Sequence, residues 1–209
     1  MRKLIIAKPS PYARKARVAL LEKRLDCEVV VDNPWMSDPA ITAVNPLGKV
    51  PALILDDGVV VHDSKVIVEY LETLDASPAL IPGEASQRIA HKQIEAIADG
   101  ICDAVVLIAL EGMRPEAGQS TQWVARQRNK IVAGIAELER LLDQREWFTE
   151  SGFGLAEIAA GCALDYVDFR CAQIQWHDSA PALTGLQQRL ATRASFAATR
   201  PEPQVLPAL

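Results

Sequence analysis

The chain has 209 residues, 49% apolar and 23% charged, with 22 basic against 27 acidic side chains and a formal charge of −5. That length supports one large domain or two modest ones, and the acidic balance argues against a nucleic-acid surface, which draws on a basic face. No stretch approaches the roughly 18 apolar residues of a membrane span. The apolar run Leu4–Ala7 is also shorter than the roughly 7–15 residues of a secretory signal, so a soluble, cytoplasmic protein is expected.

Cysteines stand singly at Cys27, Cys102, Cys162 and Cys171, and the histidines are His62, His91 and His177. Without a Cys-x-x-Cys pair they signal neither a zinc site nor a dithiol redox motif, and no metal is expected. Cys102 and Cys162 fall in apolar helical patterns, where a free thiol behaves as a small core residue.

Leu4–Ala7 reads as a buried strand. Ser10-Pro11 then opens a helix through about Arg24, serine suiting the N-cap and proline the first turn. Glu28–Val31 is a second strand, joined to the first through that helix as a βαβ unit with parallel strands. The connection 32–39 is polar and carries Pro34 and Pro39. After Asn45-Pro46-Leu47-Gly48-Lys49, the segment Pro51–Leu55 is a strand and Asp56-Asp57-Gly58 a tight turn. Val59–His62 is the hairpin partner. Asp63 or Ser64 caps a helix with Val66, Ile67, Tyr70, Leu71 and Leu74 on one face. The expected order is βαβαββα, a four-stranded mixed sheet with helices on both faces.

Residues 75–86, with Asp75, Ser77, Pro78, Pro82 and Gly83, have the composition of a linker. Beyond it only helical spacing is found: Ile89–Leu110, Trp123–Leu142, Leu155–Ile174 and Leu183–Ala191, the third apolar enough to be central to a bundle. A tail with Pro201, Pro203 and Pro207 follows. The division expected is residues 1–77, a linker at 78–87, and an all-helical domain at 88–209.

Three places carry chemistry. At Ser10-Pro11-Tyr12 a helix N-terminus offers unpaired N–H groups and about half a positive charge, which stabilises an anion such as a thiolate. Ser10 is either a cap alone or a cap whose hydroxyl also donates to that anion. At Lys49-Val50-Pro51 the proline either opens an edge strand in trans or follows a cis bond that turns the Val50 backbone outward for strand-like pairing with an extended peptide. At Asp63-Ser64 a carboxylate, a hydroxyl and helix N–H groups complement the ammonium and carboxylate of a ligand, in addition to capping.

In this order and spacing, Ser10-Pro11-Tyr12, Asn45–Pro51 and Asp63-Ser64 resemble the cytosolic glutathione transferases, especially bacterial members with a Ser-Pro-aromatic start. The resemblance covers essentially the whole chain. It implies a thioredoxin-like N-terminal domain followed by an all-helical one, with glutathione as co-substrate. By the same resemblance Ser10 hydrogen-bonds the glutathione sulfur. Val50, ahead of a cis Pro51, pairs with the cysteinyl moiety. Asp63 and Ser64 hold the γ-glutamyl end, Asp63 being shorter than the glutamate of many relatives. Lys49 meets the glycyl carboxylate or the backbone nearby.

Cysteine at the position of Ser10 marks relatives with thiol-transfer activity, so serine points to conjugation with a small electrophile. Leu107, Leu110, Met113 and Arg114 are the candidates for the second-substrate site. Asp99 and Asp103 are candidates to reach the partner's site in a homodimer, or are simply solvated. Where relatives carry a Ser/Thr-x-x-Asp capping box, this chain has Gly154-Leu155-Ala156-Glu157, a weaker cap. The competing functions are glutathione-dependent thiol–disulfide or peroxide reduction, and a non-catalytic binding protein.

Overall fold

The computed structural model describes residues 1–205, so the expected tail is seen only up to there and Pro207 lies outside the described residues. Two compact units form: Met1–Leu80 with residues 194–205, and Ile81–Arg193.

In the first unit β1 (Lys3–Ile6), α1 (Pro11–Glu22) and β2 (Glu28–Val31) make the βαβ unit, and β2 lies parallel to β1. The hairpin β3 (Ala52–Ile54) and β4 (Val60–Val61) adds two antiparallel neighbours, giving the order β2-β1-β3-β4. Its turn uses Gly58 at φ +86°, a left-handed conformation natural to glycine. α2 (Ser64–Thr73) completes the unit. A thioredoxin-like domain followed by an all-helical one is thus the architecture observed.

Several expectations need correction. The second helix of the βαβαββα order is a single 3-10 turn at Ala40–Ala43. Pro39 before it and Pro46 after it bracket a segment too short for an α-helix. Asp32 Oδ2 takes the Ile41 N–H at 2.7 Å, and the Asn45 N–H closes on the Ile41 carbonyl at 2.8 Å. One face of the sheet is therefore covered by Ile41, which packs with Ile5, Ala52, Val30 and Ile54, and not by a helix. Leu4, Ile6 and Leu53 point the other way by strand alternation, the face left to α1 and α2, which pack on each other. Val66 is exposed, and the buried stripe of α2 is Ser64, Ile67, Val68 and Leu71. Pro51 precedes β3.

α1 and the end of α2 are tied by Lys23. Its buried ammonium donates to Glu72 Oε1 at 2.9 Å and to the carbonyls of Ala76 and Pro78 at 2.8 and 3.0 Å, while Glu72 Oε1 also accepts from the Leu80 N–H at 3.1 Å. One ammonium saturates its three protons on the last turn of α2 and the loop that follows it. A short α7 (Ala194–Ala197) packs back on α1. Thr199 Oγ1 and the Phe196 carbonyl accept from the buried Arg14 guanidinium, each at 3.4 Å, and the Phe196 ring lies 5.2 Å beneath it.

The second unit contains α3 (Ala85–Gly112), α4 (Thr121–Leu142), α5 (Leu155–Arg170) and α6 (Pro181–Ala191). α3 packs on α4 and α5, and α6 on both α4 and α5. α5 is buried nearly all round, which places it at the centre as its composition implies. It ends at Arg170, short of the expected Ile174, where Cys171 leaves helical geometry at φ −131° and ψ 44°.

Two helices here are capped by side chains from elsewhere. Glu139 of α4 accepts from Ala182 and Leu183 at the start of α6, at 3.0 and 2.9 Å. At the start of α5, Glu157 reaches back to the Gly154 N–H at 2.8 Å and further back to the Phe148 N–H at 2.9 Å. His91 Nδ1 of α3 accepts from the Ala156 N–H at 3.3 Å, supplying a cap that Gly154 has no side chain to give.

Candidate functional site

The sheet register brings the three sequence motifs of the first unit to one edge. β1 and β3 pair Lys3 with Ile54, Leu4 with Leu53 and Ile5 with Ala52, so β1 ends at the edge where Pro51 leads into β3. β3 and β4 pair Ile54 with Val60 and Leu53 with Val61, so the chain leaves β4 towards Asp63 at that same edge. The Ala7–Ser10 turn, Val50-Pro51 and Asp63-Ser64 thus leave the sheet at neighbouring positions. Ligands characteristically bind where strands of an open α/β sheet end at their carboxyl edge.

Ser10 is the N-cap of α1, at φ −69° and ψ 119°, and its Oγ accepts from the Ala13 N–H at 3.2 Å. A hydroxyl has one proton and two lone pairs. Capping takes a lone pair and leaves the proton to donate, so the cap and the donor to an anion are the same group in the same rotamer. Pro11 at the first helical position contributes no N–H, and no acidic side chain sits in the first turn, so the positive end of the helix is not neutralised there.

Val50-Pro51 is a cis peptide. The Val50 side chain packs against the Ile5, Ile41 and Ala52 cluster, which holds its main chain at the strand edge. The preceding loop is locked by Asn45, buried and bonded on both faces of its amide: Oδ1 accepts from the Leu47 N–H at 3.0 Å, and Nδ2 donates to the Lys49 carbonyl at 2.7 Å. Gly48 takes φ +61° to make this possible. The Lys49 side chain is exposed. Asp63 caps α2 through Oδ1, which accepts from the Lys65 N–H at 2.9 Å, and Ser64 is buried as the first residue of that helix. The His62–Asp63 bond is also cis.

Leu107, Leu110, Met113 and Arg114 lie in the second unit at the C-terminal end of α3. The first three are half-buried, Met113 is the C-cap, and Arg114 is exposed. Of the two acidic residues on that helix, Asp99 is buried and Asp103 exposed. Sequence reading missed Asp32, whose Oδ1 accepts from Asn33 N–H and Oδ2 from Ile41 N–H, both at 2.7 Å. It shapes the connection out of β2, and its only signal was an acidic residue opening a proline-containing loop.

Two family models match the chain: the glutathione S-transferase N-terminal domain at residues 9–74, and the corresponding C-terminal domain at residues 121–189. An uncharacterized GST-like protein, YibF, of Escherichia coli is 38% identical over 95% of this chain and 98% of its own length. Glutathione S-transferase 2 of Saccharomyces cerevisiae is 28% identical over 88% of this chain and 83% of its own. Among solved structures, a glutathione S-transferase of Methylobacterium radiotolerans in complex with glutathione sulfonate superposes with a TM-score of 0.95 at 43% identity, covering 99% of this chain and 97% of that one. Another, from Methylobacillus flagellatus with glutathione bound, gives 0.93 at 39% identity, covering 97% of this chain and all of that one. With its two domains matched and its fold shared over 99% of its length, the chain belongs to the glutathione S-transferase family.

Proposed function

We propose that the chain is a glutathione transferase that stabilises the glutathione thiolate for attack on a small electrophile. The observation that carries this is Ser10, a capping hydroxyl with its proton left to donate, at an un-neutralised helix N-terminus. A free thiol has a pKa near 8.5, so lowering it by about two units makes thiolate the main form at neutral pH. A helix end and one donor supply a shift of that size.

The other assignments follow the chemistry of the tripeptide. The Val50 main chain pairs with the cysteinyl moiety. Asp63 and Ser64 meet the γ-glutamyl ammonium and carboxylate, and Lys49 meets the glycyl carboxylate. The thiolate then attacks an electrophilic carbon, and the leaving group departs with its electron pair. Leu107, Leu110, Met113 and Arg114 are proposed to contact the second substrate, and a homodimer in the cytoplasm is the proposed state. Glutathione or its sulfonate in two similar structures supports the choice of cofactor.

The test is direct. The protein is expected to be retained on immobilised glutathione, to melt at higher temperature in millimolar glutathione, and to conjugate a halogenated nitroaromatic. Turnover of a mixed disulfide without conjugation would replace this reading by glutathione-dependent reduction. Absence of any glutathione binding would remove both.

A further inference from the structure

The turn that delivers Ser10 is held by a segment from the far end of the sequence. Ala7, Lys8, Pro9 and Ser10 form a turn closed by the Ser10 N–H on the Ala7 carbonyl at 3.0 Å. Pro9 has no N–H, so the other backbone donor of the turn beyond Ala7 is that of Lys8. Gln204 Oε1 accepts it at 2.9 Å. The Nε2 of the same side chain donates to the Asp32 carbonyl, also at 2.9 Å. One rung below, the Asp32 N–H donates to the Ile6 carbonyl at 2.8 Å, continuing the ladder between β1 and β2.

A primary amide presents the same donor and acceptor as a peptide group. Gln204 therefore adds one more rung between the two parallel strands, at the point where both chains turn away. The segment around it is pinned as well. Glu202 takes the Lys8 ammonium at 2.8 Å, Asn33 Nδ2 donates to the Val205 carbonyl at 2.7 Å, and the Arg17 guanidinium donates to the Ala198 carbonyl at 3.1 Å.

We propose that Gln204 is a positioning residue for the thiol chemistry at Ser10: its side-chain amide fixes the Lys8 end of the turn and so the direction in which the Ser10 hydroxyl donates. This rests on the glutathione reading above. The link is geometric, since a hydrogen bond weakens steeply once donor and acceptor are misaligned. The anchor lies two residues before Ser10, on the side of the turn that the helix does not hold. The effect belongs to the ionisation of the bound thiol and not to the grip on the rest of the tripeptide, which Val50 and Asp63-Ser64 supply from other segments.

Replacing Gln204 by methionine keeps the length of the side chain and removes its amide. The bound thiol is titrated by thiolate absorbance, with glutathione affinity and the melting temperature measured on the same full-length protein. Gln204→Met is expected to bind glutathione within about twofold of the parent, while the thiol pKa rises by about half to one unit. At about pH 6.5, close to the pKa of the parent's bound thiol, that lowers kcat/KM for a halogenated nitroaromatic by about two- to five-fold, with KM for glutathione little changed. An unchanged titration with glutathione bound overturns the positioning role and leaves the glutathione reading intact. Loss of glutathione binding by the variant alone overturns it in favour of a structural role for the tail. A parent protein that does not bind glutathione overturns both readings.

Discussion

The two most consequential single residues differ in what their loss reveals. Ser10→Ala removes an N-cap, which costs about 1 kcal/mol of stability, and also removes a donor to a charged sulfur. Hydrogen bonds to charged groups contribute about 1.5–3 kcal/mol, so the bound thiol pKa is expected to rise by about one to two units. Stability falls modestly and ionisation strongly; a titration curve that does not move would remove Ser10 from its assigned role. Lys23 is the structural counterpart. Its side chain is 1% exposed and Glu72 beside it 14%. Lys23→Met takes the ammonium from Glu72 and the donor from the carbonyls of Ala76 and Pro78. Breaking one side of a buried pair costs about 3–5 kcal/mol, or roughly 10 °C in a chain of this size. Adding Glu72→Leu to Lys23→Met should recover part of that loss, which calorimetry on the single and double variants can read.

At the scale of one element, the start of α5 carries two buried titratable groups with opposite behaviour. Burial pushes the Glu157 carboxyl up to about 7 despite the backbone N–H groups it accepts, and burial lowers the His91 imidazole to about 4. Neutral His91 accepts at Nδ1 from Ala156, so its Nε2 carries the proton towards Thr149 and Ser151, at 2.9 and 3.1 Å. A carboxyl with a raised folded pKa contributes stability fully present below its unfolded value near 4.5 and lost as pH rises through about 7, here on the order of 3 kcal/mol. A histidine with a depressed folded pKa contributes stability present above its unfolded value near 6.5 and lost as pH falls towards about 4. The two slopes oppose each other between about pH 4.5 and 6.5 and mask one another in the parent. Glu157→Gln should leave a melting temperature that rises with pH through that window, and His91→Gln one that falls. Parallel profiles for the two variants would contradict these assignments. Much of this was legible in part: Gly154-x-x-Glu157 announced half a capping box. The other half comes from a histidine more than sixty residues earlier, and neither periodicity nor local spacing encodes a contact of that range. The same holds at the candidate site. Ser10 and Asp63 announce themselves as caps by residue type, and Asn45–Pro51 by its turn residues. The sheet register that brings Ser10, Pro51 and Asp63 to one edge emerges only once the strands pair. The 3-10 turn in place of a second helix reflects the same limit, because Pro39 and Asp32 decide it together.

For the molecule as a whole, the helical periodicity that separates the two halves says nothing about where the last residues go. Residues 194–205 join the first unit although they follow the helices of the second. Their contribution is concentrated on α1. Thr199 and Phe196 receive the buried Arg14 guanidinium, and Ser195 Oγ donates to Glu22 Oε1 at 2.5 Å. Phe196 is itself 2% exposed, and burying a phenylalanine side chain contributes about 1.5–3 kcal/mol. Ending the chain after Arg193 withdraws an aromatic side chain from the core and takes acceptors from a buried cation, a combination that costs several kcal/mol. The damage should fall on the unit that holds Ser10 and not on α3 to α6. Calorimetry of the shortened chain should then resolve an early transition, lowered by about 10 °C or more, ahead of one close to the parent's. Hydrogen exchange should place the loss of protection in α1 and its neighbours. A single transition displaced as one, with protection lost equally in both units, would mean that the tail stabilises the molecule as an undivided body.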